Sequence, residues 1–95
     1  MKYYHKSDNI TRMKQVDKDN LIAFGEHIKK IRSSKTGSLN QIAFSKNGVT
    51  SATLSRIENA MVDFKFSTLI HLAHTLDLSL VDLLKDYEYS EDFND

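Results

Sequence analysis

Ninety-five residues suffice for one small domain with short flanking segments, but not for a cofactor domain beside a substrate domain. Hydrophobic residues at 40% can form a modest core, while 27% charged residues and a mean hydropathy of −0.45 exclude a membrane span. The lack of cysteine removes disulfides and thiolate metal sites, and no apolar run follows Lys2 and Lys6 as a secretory leader requires, so a cytoplasmic location is expected.

The net charge is zero, but it is distributed unevenly. Met1 to Asp19 carries a balance of +2, Asn20 to Ser79 of +3, and Leu80 to Asp95 of −5. A mildly basic domain followed by an acidic tail differs from a uniformly neutral protein. Residues 1–19 are polar without a sustained apolar period and are expected to form a flexible arm.

The first helix is expected over 20–35. Leu21, Phe24, Ile28 and Ile31 recur at three- and four-residue steps after an Asp19 or Asn20 cap, and Lys29, Lys30, Arg32 and Lys35 suit the C-terminal end of the helix dipole. Ser38 with Gln41 has capping-box spacing and opens a short second helix over 38–46, whose inward face is Leu39, Ile42 and Ala43. Lys46-Asn47-Gly48 ends it, because Asn and Gly tolerate positive φ, and Val49 enters the core.

Thr50 caps a third helix over 50–59, in which Leu54 and Ile57 point inward while Ser51, Ala52, Ser55 and Arg56 occupy the outward arc. Ala60 to Phe66 reads as a loop anchored by Phe64 or Phe66. Ser67 then caps a fourth helix over 67–76 carrying Leu69, Leu72, Ala73 and Leu76. Ser79 with Asp82 repeats the capping spacing and opens a fifth helix over 79–86 with Leu80, Leu83 and Leu84. Residues 88–95 form an acidic tail, expected to fray together with Tyr87. The fold class is therefore all-α, a domain over 20–87, and no strand-like alternation persists. The second and third helices, joined by a Gly-containing turn, have the layout of a helix-turn-helix that presents one polar face to a DNA groove.

Phe24-Gly25-Glu26-His27-Ile28-Lys29-Lys30-Ile31-Arg32, Ile42-Ala43, Ala52-Thr53-Leu54-Ser55-Arg56-Ile57-Glu58-Asn59 and the stretch Leu69 to Leu84 follow one another in an order that resembles the Cro/CI-type, or xenobiotic-response-element, helix-turn-helix family. The resemblance spans about Leu21 to Tyr87 and implies a compact five-helix lambda-repressor-like domain, commonly dimeric, that binds double-stranded DNA. Two departures stand out. Leu39 occupies the place where the family usually has Gln, and four residues rather than three separate Ala43 from the turn residue Gly48.

Ser51, Ala52 and Arg56 match the family's base-reading positions. Arg56 suits a bidentate contact to guanine and Ala52 a thymine methyl. Thr50, as cap and hydroxyl donor, is a phosphate candidate, and the resemblance places Thr53, Ser55, Asn59 and Lys65 over the DNA backbone, with Lys46 reaching it from the turn. Glu58 reads as structural, bonded to backbone or to Arg32, because a carboxylate facing phosphate is repelled.

His71 and His74 lie three residues apart, but no cysteine or HExxH spacing accompanies them, so no metal or other cofactor is expected. No nucleophile constellation marks an enzyme. The resemblance implies a repressor that binds a palindromic operator as a homodimer, with Leu80, Val81 and Leu84 as apolar dimer candidates. The alternatives are an antitoxin whose tail from Asp86 to Asp95 engages a toxin, and a helical protein-interaction module.

Overall fold

The computed structural model describes residues 13–36 and 46–93, which contain four helices: α1 (Gln15–Thr36), α2 (Ser51–Glu58), α3 (Phe66–Thr75) and α4 (Leu80–Leu84). The described residues contain no strand, as an all-α chain requires. The helix expected over 38–46, with Leu39, Ile42 and Ala43, lies outside the described residues except for Lys46, as does the arm up to residue 12. No helix among the described residues is long and apolar enough to cross a membrane.

α1 begins at Gln15, five residues before its expected start. The Lys14 carbonyl accepts the Asp17 and Lys18 amides at 3.1 Å each, and Gln15 Nε2 donates to Asp19 Oδ1 one turn on. Val16 is only 4% exposed and lies two turns before Phe24 on the same face. Asn20 sits between them and breaks the apolar step, which conceals the extra turn in the sequence.

The core unites Phe24 and Ile28 of α1, Leu54 and Ile57 of α2, Leu72, Ala73 and Leu76 at α3, Leu83 of α4, and Val49 from the preceding turn. α2 matches the expected third helix. α3 opens at Phe66, with Lys65 as an extended cap residue that makes no side-chain bond, so Ser67 is not the cap. Phe64 is the loop's anchor, its ring 5.4 Å from that of Phe24, while Phe66 is 69% exposed. α4 starts as its capping spacing requires, with Ser79 Oγ accepting the Asp82 amide at 3.1 Å. His27 Nε2 donates to the Leu83 carbonyl at 2.7 Å and ties α1 to α4.

α2, α3 and α4 end alike, with a left-handed residue two positions beyond the helix: Ala60 at φ 55°, Asp77 at 58° and Asp86 at 63°. After α2, the Met61 amide reaches the Arg56 carbonyl and the Ala60 amide that of Ile57. After α3, Leu78 reaches Ala73 and Asp77 reaches His74. Both are Schellman closures, which satisfy carbonyls that a helix end otherwise leaves unpaired.

The segment after α4 does not fray at its start. Asn20 clamps Ser90 at two points, its Nδ2 donating to the Ser90 carbonyl at 3.0 Å and its Oδ1 accepting the Ser90 amide at 2.6 Å. Tyr87 Oη donates to the Asn20 carbonyl at 3.0 Å, and its ring meets Phe24 edge-on at 5.3 Å. The aromatic ring and the amide clamp together supply the binding free energy that charge patterning alone does not reveal.

Burial raises the Tyr87 pKa above its ordinary value of 10.0, because the phenolate is the form that burial disfavours. A folded-state pKa above the unfolded one gives a contribution fully present below the unfolded value and lost as pH rises through the folded value. Tyr87→Phe is expected to lower stability at neutral pH by about 0.5–1.5 kcal/mol and to flatten the decline above pH 10, as measured by urea unfolding across an alkaline series.

Candidate nucleic-acid interface

Two elements fix the turn that leads into α2. The Val49 side chain is buried and its amide donates to Thr75 Oγ1 at 2.7 Å, while the Thr75 hydroxyl donates to the His71 carbonyl at 3.0 Å. His71 Nδ1 bonds the Asn47 carbonyl at 2.7 Å, and since a carbonyl only accepts, Nδ1 carries the proton. His71 is therefore turned toward the backbone of the turn rather than paired with His74. Among the described residues, no group of three or more His, Cys, Asp or Glu side chains is placed to hold a metal.

Thr50 adopts the extended conformation of a cap, with φ −77° and ψ 163°. Its Oγ1 accepts the Thr53 amide at 3.1 Å and donates its proton to Thr53 Oγ1 at 3.0 Å. Thr50 is thus committed as a cap, and the hydroxyl proton left to face an outside acceptor belongs to Thr53. The Ser51 and Ala52 amides remain the first helical N–H groups without an intrahelical acceptor, at the positive end of the dipole.

Ser51, Ala52 and Arg56 are exposed on the outer arc of α2, with Ala52 and Arg56 one turn apart. Among the described residues Arg56 has no ion-pair partner. Glu58, its nearest acid in sequence, is turned inward to Arg32. Ser55 and Thr53 are half-buried. Asn59 is exposed but folds its Nδ2 back onto the Ser55 carbonyl at 2.9 Å. Lys46 in the turn and Lys65 before α3 are exposed. The structure thus gathers Thr50, Ser51, Ala52, Thr53, Ser55, Arg56 and Asn59 on α2 and its caps, with Lys46 and Lys65 on the segments that flank it.

The inner side of α2 is gripped by α1. Arg32 Nε donates to Glu58 Oε2 at 2.6 Å and Nη2 to Oε1 at 3.0 Å, a bidentate pair in which the residues are only 9% and 8% exposed. The hydrogen bond to Glu58 raises the Arg32 pKa above its ordinary value against the opposing effect of burial, and the carboxylate's charge adds to the rise. About two turns before Arg32, Gly25 lets the two backbones approach closely. A Cβ there would stand 2.6 Å from the Glu58 carbonyl oxygen and 2.7 Å from that of Ile57. Sequence reasoning anticipates the Arg32–Glu58 pair but not Gly25, although a glycine inside a helical pattern is itself a sign of close backbone approach.

A short helix held from behind, with its N-terminal face left open, is how a helix-turn-helix protein presents its second helix. Among solved structures the chain is similar to three regulators. Against the restriction-modification controller protein C.AhdI from Aeromonas hydrophila, the TM-score is 0.56 at 23% identity, over 67% of this chain and 96% of that one. The clp gene regulator ClgR from Corynebacterium glutamicum gives 0.55 at 25% identity, over 68% of each chain. The apo form of the competence regulator ComR from Streptococcus vestibularis gives 0.57 at 25% identity over 73% of this chain, which spans only 23% of ComR. The fold of these regulators is thus consistent with the resemblance to Cro/CI-type helix-turn-helix proteins. No protein-family model matches the chain. No curated protein matches it either.

Two outcomes test the grip on α2. Gly25→Ala adds helix propensity but forces a Cβ against carbonyl oxygens, so it is expected to destabilise by roughly 1–3 kcal/mol in urea unfolding rather than to stabilise. Arg32→Ala leaves the Glu58 carboxylate buried without its partner and is expected to cost roughly 3–5 kcal/mol. The double change Arg32→Met with Glu58→Leu should be milder than Arg32→Ala, as thermal or urea midpoints will show.

Proposed function

We propose that this chain is a sequence-specific transcriptional regulator that inserts the N-terminal face of α2 into the major groove of double-stranded DNA. The observation that carries the reading is the state of Arg56. It is exposed on that face and unpaired among the described residues, while the neighbouring Glu58 is neutralised within the domain. In this reading Arg56 reads guanine, Ala52 and Ser51 contact adjacent base edges, and the Ser51 and Ala52 amides meet a phosphate. The Thr53 hydroxyl, Ser55, Asn59, Lys46 and Lys65 line the backbone, with Thr50 holding the helix end.

The names of the structural neighbours, a controller protein and two regulators, support a regulatory role. Repression through a palindromic operator follows if two copies pair by a two-fold axis. Val81 and Leu84 of α4 are exposed apolar groups available to such a dimer. The antitoxin alternative requires a partner to compete for the tail, since Tyr87 and Ser90 already engage Asn20.

The test is selection of bound duplexes from a random-sequence library with the purified chain. The expected result is a recovered motif with two half-sites centred about 10 base pairs apart, as two-fold docking in successive major grooves requires. Arg56→Ala should weaken binding to the recovered duplex by roughly 1–3 kcal/mol and relax preference at one guanine. Equal binding to all duplexes at moderate salt overturns the reading.

A further inference from the structure

We propose that Thr75 and His71 of α3 are positioning residues that set the aim of α2 at DNA without touching it, an inference that rests on the DNA-binding reading above. The two side chains lie one helical turn apart and hold the turn before α2 at two backbone points. Thr75 Oγ1 takes the Val49 amide at 2.7 Å, and His71 Nδ1 donates to the Asn47 carbonyl at 2.7 Å. The Thr75 hydroxyl is itself oriented by donating to the His71 carbonyl at 3.0 Å, which turns its lone pair toward Val49.

The held residues immediately precede the cap. Asn47 and Val49 are separated from Ser51, the first residue of α2, by only four and two positions, and Thr50 carries the cap itself. A rotation of this turn re-aims the Ser51 and Ala52 amides and the start of the outer arc. The other end of α2 is held by Arg32 and Gly25. The latch is therefore the second of two fixed points, and two points are needed to define the direction of a helix. Loss of an oriented support displaces the recognition face relative to the groove, which weakens base contacts more than phosphate contacts, since the latter tolerate small displacements.

The test measures affinity of the full chain for the duplex recovered by selection and for an unrelated duplex of equal length, at temperatures where circular dichroism shows each variant folded. Thr75→Val and His71→Phe are expected to weaken the selected duplex about fivefold or more, and the unrelated one less than about twofold. Thr75→Ser and His71→Asn keep an oriented hydroxyl and an amide donor and should restore most of the difference. A parallel fall on both duplexes in His71→Phe, with the salt slope reduced by about one, would mean that His71 touches phosphate, and overturns the proposal. So does unchanged discrimination in both folded variants.

Amide exchange separates this failure from that of the functional reading. Loss of Val49 amide protection in Thr75→Val is expected with or without DNA, and retained protection overturns the latch. A wild-type chain that prefers no duplex, yet loses this protection on substitution, sinks the DNA reading and leaves the hold on the turn standing. Should Thr75→Val not fold, the exposed His71 pair of variants decides alone.

Discussion

The exposed helix α2 has only eight residues, too few to be stable in water by itself, so its existence and direction come from what grips it. The bidentate Arg32–Glu58 pair is the central constraint, because it joins the last residue of α2 to the long helix α1 with both oxygens of the carboxylate occupied. Burying two charges costs several kcal/mol per ion, which roughly offsets their attraction, so the pair's effect is better understood as orientation than as net stability. Gly25 adds the steric half of the same constraint. Its missing Cβ lets the carbonyls of Ile57 and Glu58 approach α1 to a distance no other residue allows.

From that junction the rest of the architecture follows. α1 is long enough to serve several partners in succession: Asn20 and Phe24 receive the segment after α4, Gly25 and Arg32 receive α2, and His27 receives the Leu83 carbonyl of α4. The helices after α1 stop abruptly with left-handed residues that are not glycine, each at a cost of roughly 1 kcal/mol or more. Asp at two of these positions limits the strain, since its short polar side chain tolerates this region better than most. Ala60 has no such help. It stands two positions after α2, where the turn must bring the chain back toward Phe64 and the core.

What was legible in the sequence was mostly local. Thr50 and Ser79 cap their helices as the spacing indicates, because a cap involves only residues three positions apart. The apolar steps of Leu54 and Ile57 and of Leu72, Ala73 and Leu76 correctly locate the inward faces. Arg32 was one of two partners open to Glu58, the other being backbone, on the ground that a carboxylate facing phosphate is repelled. Pairings that close over long separations left no local trace. Asn20 and Ser90 are seventy residues apart, and the same Asn20 that anchors the tail interrupts the apolar stripe and hides the first turn of α1. The sequence draws attention to His71 only as a neighbour of His74 and to Thr75 not at all, because their partners are backbone groups of a turn that the side-chain pattern does not register.

The vanishing net charge is the sequence property that weighs most against nucleic acid; the −5 carried by Leu80 to Asp95 accounts for the sum, and the ion pair decides the local sign at α2. A summed charge treats Glu58 as an exposed anion on α2, which would repel phosphate and subtract from any basic footprint. In the fold Glu58 lies inward and is spent on Arg32, so neither residue shapes the outer field of α2. The exposed charges remaining between Lys46 and Lys65 are Lys46, Arg56 and Lys65 against the lone acid Asp63. That stretch is positive at its surface although the chain is neutral in sum. One buried contact therefore anchors the C-terminal end of α2 and bears on the sign of the face it presents, so under the proposed function a substitution at Arg32 is expected to act on DNA binding as well as on stability.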